Sequence, residues 1–217
     1  MRKLFEFLIH GSILKTILFN LHYFGFKAIF KPRVIIAKNV KLDKMKGKVD
    51  CINKFGASNI GFFKNFGYPL KKGKTLFHNE GLLTIHSHLC LGYGCSLSIQ
   101  QNARLEIGDA TIGEFTMICV KTHIRIGYQV MISWDVQIMD SDFHKILNVD
   151  RIQINSPKPI EIGDECWICS RALALKGTVL PKYTILAANS FVSREFFEEH
   201  CVISNNLILK KGVYVKP

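Results

Sequence analysis

The sequence predicts an all-β parallel β-helix in which short strands repeat every six residues. Two coupled columns carry this prediction. The first column holds aliphatic residues, at Ile162, Ile168, Ala174, Leu180, Leu186 and Val192. The second column holds small or weakly polar residues four positions later, at Cys166, Ala172, Thr178, Thr184 and Ser190. Helices repeat about every 3.6 residues and alternating strands about every 2, so neither produces this pattern.

The six-residue period also occurs upstream. It recurs at Ile126, Ile132 and Ile138, and more loosely at Ile85, Leu91, Leu97 and Ala103. Stacked coils of this kind would bury a continuous ladder of aliphatic side chains, with glycine and small residues at the corners. Residues 140–160 have no six-residue column and contain two prolines, which predicts a loop that leaves the helix. We therefore expect a β-helix domain at residues 49–203 and a C-terminal tail at 204–217.

Residues 1–48 form a different kind of segment, basic and rich in aromatic residues. Within residues 1–33, apolar residues are spaced as in an amphipathic helix, at Leu4, Phe5, Leu8, Ile9, Ile13, Leu14, Ile17 and Leu18. Two interpretations stay open: the helix packs on the first coil or on a neighbouring subunit, or it lies on an anionic membrane surface.

Composition limits the possible classes of protein. The 217 residues are 48% hydrophobic and 21% charged, which suits one sizeable core and excludes a disordered polymer. The net charge of +12 indicates anionic partners: nucleic acid, lipid headgroups or phosphorylated small molecules. Since no nucleic-acid-binding motif accompanies the charge, we expect no nucleic-acid partner.

The cysteines and the first apolar stretch indicate a cellular location. Seven cysteines, an odd number, are scattered along the chain, and no signal-peptide cleavage site follows the first apolar stretch. Both features favour reduced thiols in a cytoplasmic protein, and the amphipathic N-terminal segment leaves open a position against the inner face of the membrane. Residues 16–26, which lack charged side chains, are too few to cross a bilayer.

Three segments resemble a known family. They read I-S-W-D-V-Q-I-M-D-S-D-F-H at 132–144, I-G-D-E-C-W-I-C-S at 162–170, and L-K-G-T-V-L-P-K-Y-T-I-L-A-A-N-S-F-V-S-R at 175–194. In this order they resemble the hexapeptide-repeat acyltransferases of left-handed β-helix fold, near the galactoside and maltose O-acetyltransferases. The resemblance implies a homotrimer that transfers an acetyl group from acetyl-CoA to a sugar hydroxyl, in surface polysaccharide biosynthesis. Acetylation of an amino sugar is the nearest alternative.

The resemblance places the catalytic histidine of the family at His144, and the acid–base properties of histidine suit that role. An imidazole titrates near neutral pH, so a positioned histidine can take the proton of a hydroxyl that attacks a thioester. Asp140 and Asp142 precede it, and either could orient the ring or hold the acceptor's hydroxyls, or both could be solvated loop acids. Because no nucleophile motif is present, we expect direct transfer without a covalent intermediate.

The resemblance also implies a binding site for coenzyme A. The residues that it assigns to this site are Ser170, Ala188, Ser193, Arg194 and Lys211. The chain departs from the family at Cys169, where glycine is usual, and at residues 204–207, which read Ser-Asn-Asn-Leu in place of Gly-Asn-Pro-Ala.

Two further hypotheses come from other classes of protein. Three histidines, His86, His88 and His123, could bind zinc as in β-helix carbonic anhydrases. Cys166 and Cys169 also have metal-ligand spacing, but their positions in the repeat explain both thiols, and we expect no metal. A non-enzymatic trimeric scaffold, held at a membrane by its N-terminal helix, is the other alternative.

Overall fold

The chain winds into a left-handed parallel β-helix, which confirms the predicted fold class. The computed structural model describes residues 10–52, 56–62 and 73–214. Each regular coil has three sides, and strands of successive coils pair in parallel register, for example Ile162 with Leu180 and Ile168 with Leu186. The strands therefore stack into three flat faces, here called A, B and C.

The strands divide among the faces in a repeating order. Face A contains β3 (Lys48–Cys51), β10 (His123–Ile126), β13 (Ile160–Ile162) and β16 (Val179–Leu180). Face B contains β1 (Val34–Ile36), β4 (Ser58–Phe62), β11 (Val130–Ile132), β14 (Trp167–Ile168), β17 (Ile185–Leu186) and β19 (Cys201–Ser204). Face C contains β2 (Val40–Met45), β5 (Thr75–Asn79), β7 (Ser96–Ile99), β9 (Met117–Val120), β12 (Gln137–Met139), β15 (Leu173–Leu175) and β18 (Phe191–Val192). Two long strands, β6 (Leu82–Gly92) and β8 (Arg104–Ile112), turn the corner from face A to face B.

The interior is the predicted ladder of aliphatic side chains. Ile162, Ile168, Leu180, Leu186 and Val192 are all at most 1% exposed and belong to one hydrophobic core. Burying an aliphatic side chain of this size stabilises a fold by about 1.5–3 kcal/mol. The stacking that the six-residue columns predicted is therefore confirmed.

The second column occupies the corners. All five of its members are buried, and the residue before each of them has a positive φ, at Glu165, Arg171, Gly177, Tyr183 and Asn189. Positive φ is uncommon outside glycine, so its return every six residues marks a built-in turn geometry. The residue that follows each turn thus lies in the interior, at the corner of its coil.

The N-terminal segment caps the stack. Helix α1 (Ile13–Phe24) begins after Ser12, whose side chain accepts a hydrogen bond from the Lys15 backbone N–H at 3.3 Å, and α2 (Lys27–Phe30) follows. The apolar residues predicted to be helical before residue 10 lie outside the described residues. On the buried face, Asn20 holds both the backbone N–H of Arg33 (2.7 Å) and the carbonyl of Val34 (2.6 Å). The helix is thereby fixed to the first strand.

The paired strands extend beyond the expected domain limits at both ends. Parallel pairing starts at Val34, inside the segment 1–48, because the first coils use strands without a six-residue column. At the other end, β20 (Leu207–Lys211) folds back antiparallel on β19. Asn205 and Asn206 both have positive φ in the turn between them, as a tight hairpin requires. Residues 204–211 are therefore a strand hairpin that closes the last coil.

Candidate active site

The irregular loop leaves the helix between faces C and A. It starts after β12, at Asp140, and rejoins at β13, and the backbone N–H of Lys158 donates to the Asp140 carbonyl at 3.1 Å. In the following coil the same corner is made by Gly177, whose position lies against the side chain of Lys158. The loop is thus an insertion at one corner, with the coils continuing on either side of it.

Asp140 anchors the start of this loop. Its side chain is completely buried and accepts hydrogen bonds from the backbone N–H groups of Lys121 (2.7 Å), Thr122 (2.7 Å) and His123 (2.9 Å), and from the Thr122 hydroxyl (2.8 Å). All of these partners belong to the preceding coil. The structure therefore places the Asp140 carboxylate on the backbone of the helix and away from the solvent in which an acceptor would arrive.

Asn155 organises the interior of the loop. Its amide nitrogen donates to the Asp142 carboxylate at 2.6 Å and to the His144 carbonyl at 2.8 Å, while its oxygen accepts from the Ile146 N–H at 2.7 Å. Lys176 of the next coil binds the same Asp142 oxygen and the Asn155 carbonyl. The contacts of Lys176 and Asn155 hold the pKa of Asp142 below its usual range. Asp142 is therefore ionised and bound within the loop.

Asn155 and Lys176 could not be identified as site residues from the sequence, because neither residue's position along the chain indicates the contacts that it makes. The available signal is weak: an asparagine in a long loop is commonly used to bind backbone groups, and this one is 91% buried.

His144 lies on the outside of this network. The side chain is exposed, its backbone carbonyl is fixed by Asn155, and the described part of the chain provides no hydrogen-bond partner for its imidazole. Phe143, just before it, has a positive φ of 59° and follows a turn in which its N–H binds the Ser141 hydroxyl at 3.0 Å. The result is a firmly held backbone that presents an accessible imidazole.

The residues assigned to coenzyme A lie at two different corners and at the end of the last strand. Ser170 and Ala188 share the corner between faces B and C, one coil apart, where the Asn189 N–H donates to the Ser170 carbonyl at 3.1 Å. Ser193 and Arg194 lie at the corner between faces C and A, two coils beyond the loop of His144. Lys211 is at the end of β20, where it forms an ion pair with Glu198 at 3.1 Å.

Arg194 borders a cleft at the end of the helix. The cleft has a volume of about 420 Å³ and is lined largely by apolar groups, including Phe196, Phe197 and Leu207. The guanidinium carbon of Arg194 lies over the Phe196 ring, 5.5 Å from the ring centroid. Ser193 is held by Asn206, which accepts from its N–H at 2.8 Å and donates to its hydroxyl at 3.1 Å. Glu195 and Glu198 also line the cleft, so Arg194 is the cation of a mixed lining and not of a uniformly basic one.

The structure pairs the histidines of the zinc hypothesis with a carboxylate. On the outside of face A, the Glu106 carboxylate lies 3.0 Å from Nε2 of His123 and 4.0 Å from Nε2 of His86. No group of three potential metal ligands is found among the described residues. The Cys166 thiol donates to the Pro181 carbonyl, and burial raises its pKa to about 12 and that of Cys169 to about 11. Protonated thiols at corner positions are explained by the fold.

Comparison with known proteins agrees with the fold and the reaction class. A scan against protein families finds no match. The chain is 26% identical over 198 residues to an uncharacterised 24.8 kDa protein in the cps region of Klebsiella pneumoniae, covering 89% of this chain and 82% of that protein. It is 32% identical over 101 residues to the polysialic acid O-acetyltransferase of Neisseria meningitidis, covering 46% of this chain and 41% of that enzyme.

Two solved structures have the same fold. The polySia-specific acetyltransferase NeuO superposes with a TM-score of 0.61 at 18% identity, over 85% of this chain and 78% of that one. The polysialic acid O-acetyltransferase OatWY superposes with a TM-score of 0.51 at 22% identity, over 86% of this chain and 85% of that one. The relatives with a named activity are acetyltransferases that act on polysialic acid, which confirms the predicted resemblance to an acetyltransferase family.

Proposed function

We propose that this protein is an acetyl-CoA-dependent O-acetyltransferase that modifies a sugar hydroxyl of a surface polysaccharide in the cytoplasm. The observation that carries the proposal is the loop at 140–160, which presents His144 in solvent on a backbone fixed by Asn155. The named relatives support both the reaction and a polysaccharide acceptor, with polysialic acid the first to test.

The proposed reaction needs one proton acceptor. The acceptor hydroxyl oxygen attacks the carbonyl carbon of the thioester while the His144 imidazole takes the hydroxyl proton. The carbon–sulfur bond then breaks, and the imidazolium returns the proton to the departing sulfur of coenzyme A. A positioned general base of this kind contributes about 10²–10⁴-fold to the rate. Asp142 is already bound by Lys176 and Asn155, so its role is to hold the loop that carries His144.

The proposed donor site uses the corner that carries Ser170 and Ala188 and the corner that carries Ser193 and Arg194. Since these corners are different edges of one prism, a groove that contains both is formed by two adjacent subunits of a homotrimer. Arg194 would face the phosphates of coenzyme A, and Lys211 would lie further along the same end of the stack.

The experiment is mass spectrometry of a panel of surface glycans, polysialic acid among them, incubated with acetyl-CoA and the protein. We expect one glycan to gain the mass of acetyl groups, with free coenzyme A released in equal amount. His144→Ala should reduce the rate by about 10²–10⁴-fold and should leave coenzyme A affinity and the oligomeric state unchanged. The wild-type rate should rise with pH as a single group deprotonates, and this step should be absent from the residual rate of the variant.

The controls separate the alternatives. Lys145→Ala changes the next exposed residue of the same loop and should keep near-wild-type activity. Acetylation at an amino group in place of a hydroxyl would replace the proposal by N-acetyl transfer. A protein that fails to bind coenzyme A would instead support a scaffold, and near-wild-type activity of His144→Ala would exclude His144 as the base.

A further inference from the structure

Helix α1 has an exposed apolar face opposite its buried face. Ile13, Leu14, Leu18 and Leu21 are 64%, 67%, 50% and 43% exposed. At about 100° per residue they lie within an arc of about 140°. Phe19, by contrast, is completely buried on the opposite side, where the helix packs on the first coils. The fold therefore uses one side of the helix and leaves a second apolar side uncovered within the described chain.

Helix α2 extends this apolar surface with two aromatic rings. Phe26 is 68% exposed and Phe30 is 79% exposed, and the two rings contact each other edge to face at 5.6 Å. Lys27 and Lys31 follow them directly in sequence, and both are exposed. Aliphatic and aromatic side chains bordered by lysines are typical of helices that lie in a membrane interface.

The segment that forms this surface carries charge of a single sign, although Asp50 of β3 lines a neighbouring cleft together with Tyr23, Phe24 and Arg33. Residues 10–42 contain no aspartate or glutamate, and their cationic residues are Lys15, Lys27, Lys31, Arg33, Lys38 and Lys41. The Nζ atom of Lys15 is bound to the carbonyls of Lys38 (2.7 Å) and Val40 (2.6 Å). Lys31 and Arg33 line a cleft of about 450 Å³ beside α2. This cleft offers two cations to a phosphate headgroup.

We propose that the surface formed by α1 and α2 docks this protein peripherally on an anionic bilayer. The apolar side chains would enter the boundary between headgroups and acyl chains, and Lys27, Lys31 and Arg33 would bind anionic headgroups. Charge favours lipid over a second copy of the chain, because a self-association that brings this surface against itself would place the same lysines together. None of the described helices is long and apolar enough to span a membrane.

The test is flotation of the full chain with phosphatidylcholine vesicles and with mixed phosphatidylcholine–phosphatidylglycerol vesicles. We expect binding to the anionic vesicles that weakens as salt is added. Each lysine at such a surface contributes about fivefold to the affinity, so Lys27→Gln with Lys31→Gln should weaken binding about 25-fold. Leu14→Gln with Leu18→Gln should abolish flotation, and because both residues are exposed the fold should be kept, which circular dichroism checks.

A matched variant controls for net charge. Lys182→Gln with Lys210→Gln removes the same two charges from the other end of the stack and should leave flotation almost unchanged. Equal loss in both lysine variants, equal binding to neutral vesicles, or full binding by the leucine variant would each overturn the proposal. A change of oligomeric state in the leucine variant without lipid would assign the face to a neighbouring subunit instead. Lipid binding does not depend on acetyl transfer, so each proposal can fail without the other.

Discussion

Replacing Asp140 with alanine tests whether this residue holds the loop or takes part in chemistry. The buried carboxylate accepts hydrogen bonds from three backbone N–H groups and one hydroxyl. A hydrogen bond to a charged group contributes about 1.5–3 kcal/mol, so losing the three N–H contacts should lower the free energy of unfolding by about 4 kcal/mol or more. Such a loss is exceptional for one substitution.

Asparagine gives an intermediate result. Of the two carboxylate oxygens, Oδ2 accepts from Thr122 and His123, and Oδ1 accepts from the Lys121 N–H. An amide that keeps its oxygen at the Oδ2 position turns its NH₂ toward the Lys121 N–H and loses that one contact. Asp140→Asn should therefore cost about 1.5–3 kcal/mol, less than the alanine variant.

The measurement is urea unfolding, followed by circular dichroism at several protein concentrations so that subunit dissociation is distinguished from unfolding. Asp150→Ala, at the exposed tip of the same loop, is the matched control and should change the free energy of unfolding by less than about 0.5 kcal/mol. If Asp140→Ala is as stable as the control yet inactive, the anchoring role is refuted and Asp140 acts in the reaction.

Two further predictions concern the ionised contacts of the site. Lys176→Met should raise the pKa of Asp142 toward its usual range, which a carboxyl-carbon NMR titration measures. Because this pKa is lowered in the folded protein, the contact between Lys176 and Asp142 stabilises the loop above the ordinary carboxyl pKa. That stabilisation is lost as the pH falls through the lowered value. An unchanged Asp142 titration would contradict the observed contact. Arg194→Glu should weaken coenzyme A binding in calorimetry, an effect that high salt partly masks, and unchanged affinity would remove Arg194 from the donor site.

The regular coils could be predicted from the sequence because their physics is local and repeated. A buried aliphatic, then a left-handed turn and a small residue, must return every six residues if the coils are to stack, and residues 162–192 show this without interruption. The first coils were not predicted, because β2 and β5 pair through a bulge that shifts the register near Leu42 and breaks any fixed period. The closing hairpin was missed although its Asn205-Asn206 turn is a recognisable signal.

From the sequence, site residues could be proposed only where the side chain itself has suitable acid–base chemistry. A histidine in a long irregular loop is conspicuous in a sequence, which makes His144 a candidate on its chemistry, and its role as the base stays a prediction. Asp140 looked equivalent to Asp142 in the sequence, since both are acids beside that histidine. The structure separates them: one carboxylate is fully buried on backbone N–H groups, and the other is partly exposed and bound to Lys176. That difference depends on which neighbouring coil each side chain contacts. The sequence does not indicate these contacts, because the six-residue spacing does not continue inside the loop.

The positions of the site residues on the prism bear on the assembly. The loop that carries His144 leaves the helix at the corner between faces C and A, and Arg194 lies at the same corner two coils further on. Ala188 lies at the corner between faces B and C, across one face of the prism from Arg194. If His144, Arg194 and Ala188 all contact one donor molecule, the edge between faces C and A of one subunit must face the edge between faces B and C of its neighbour. Three such contacts close a ring. On the proposed donor site, a monomeric variant that keeps its coils should therefore bind coenzyme A weakly and transfer no acetyl group.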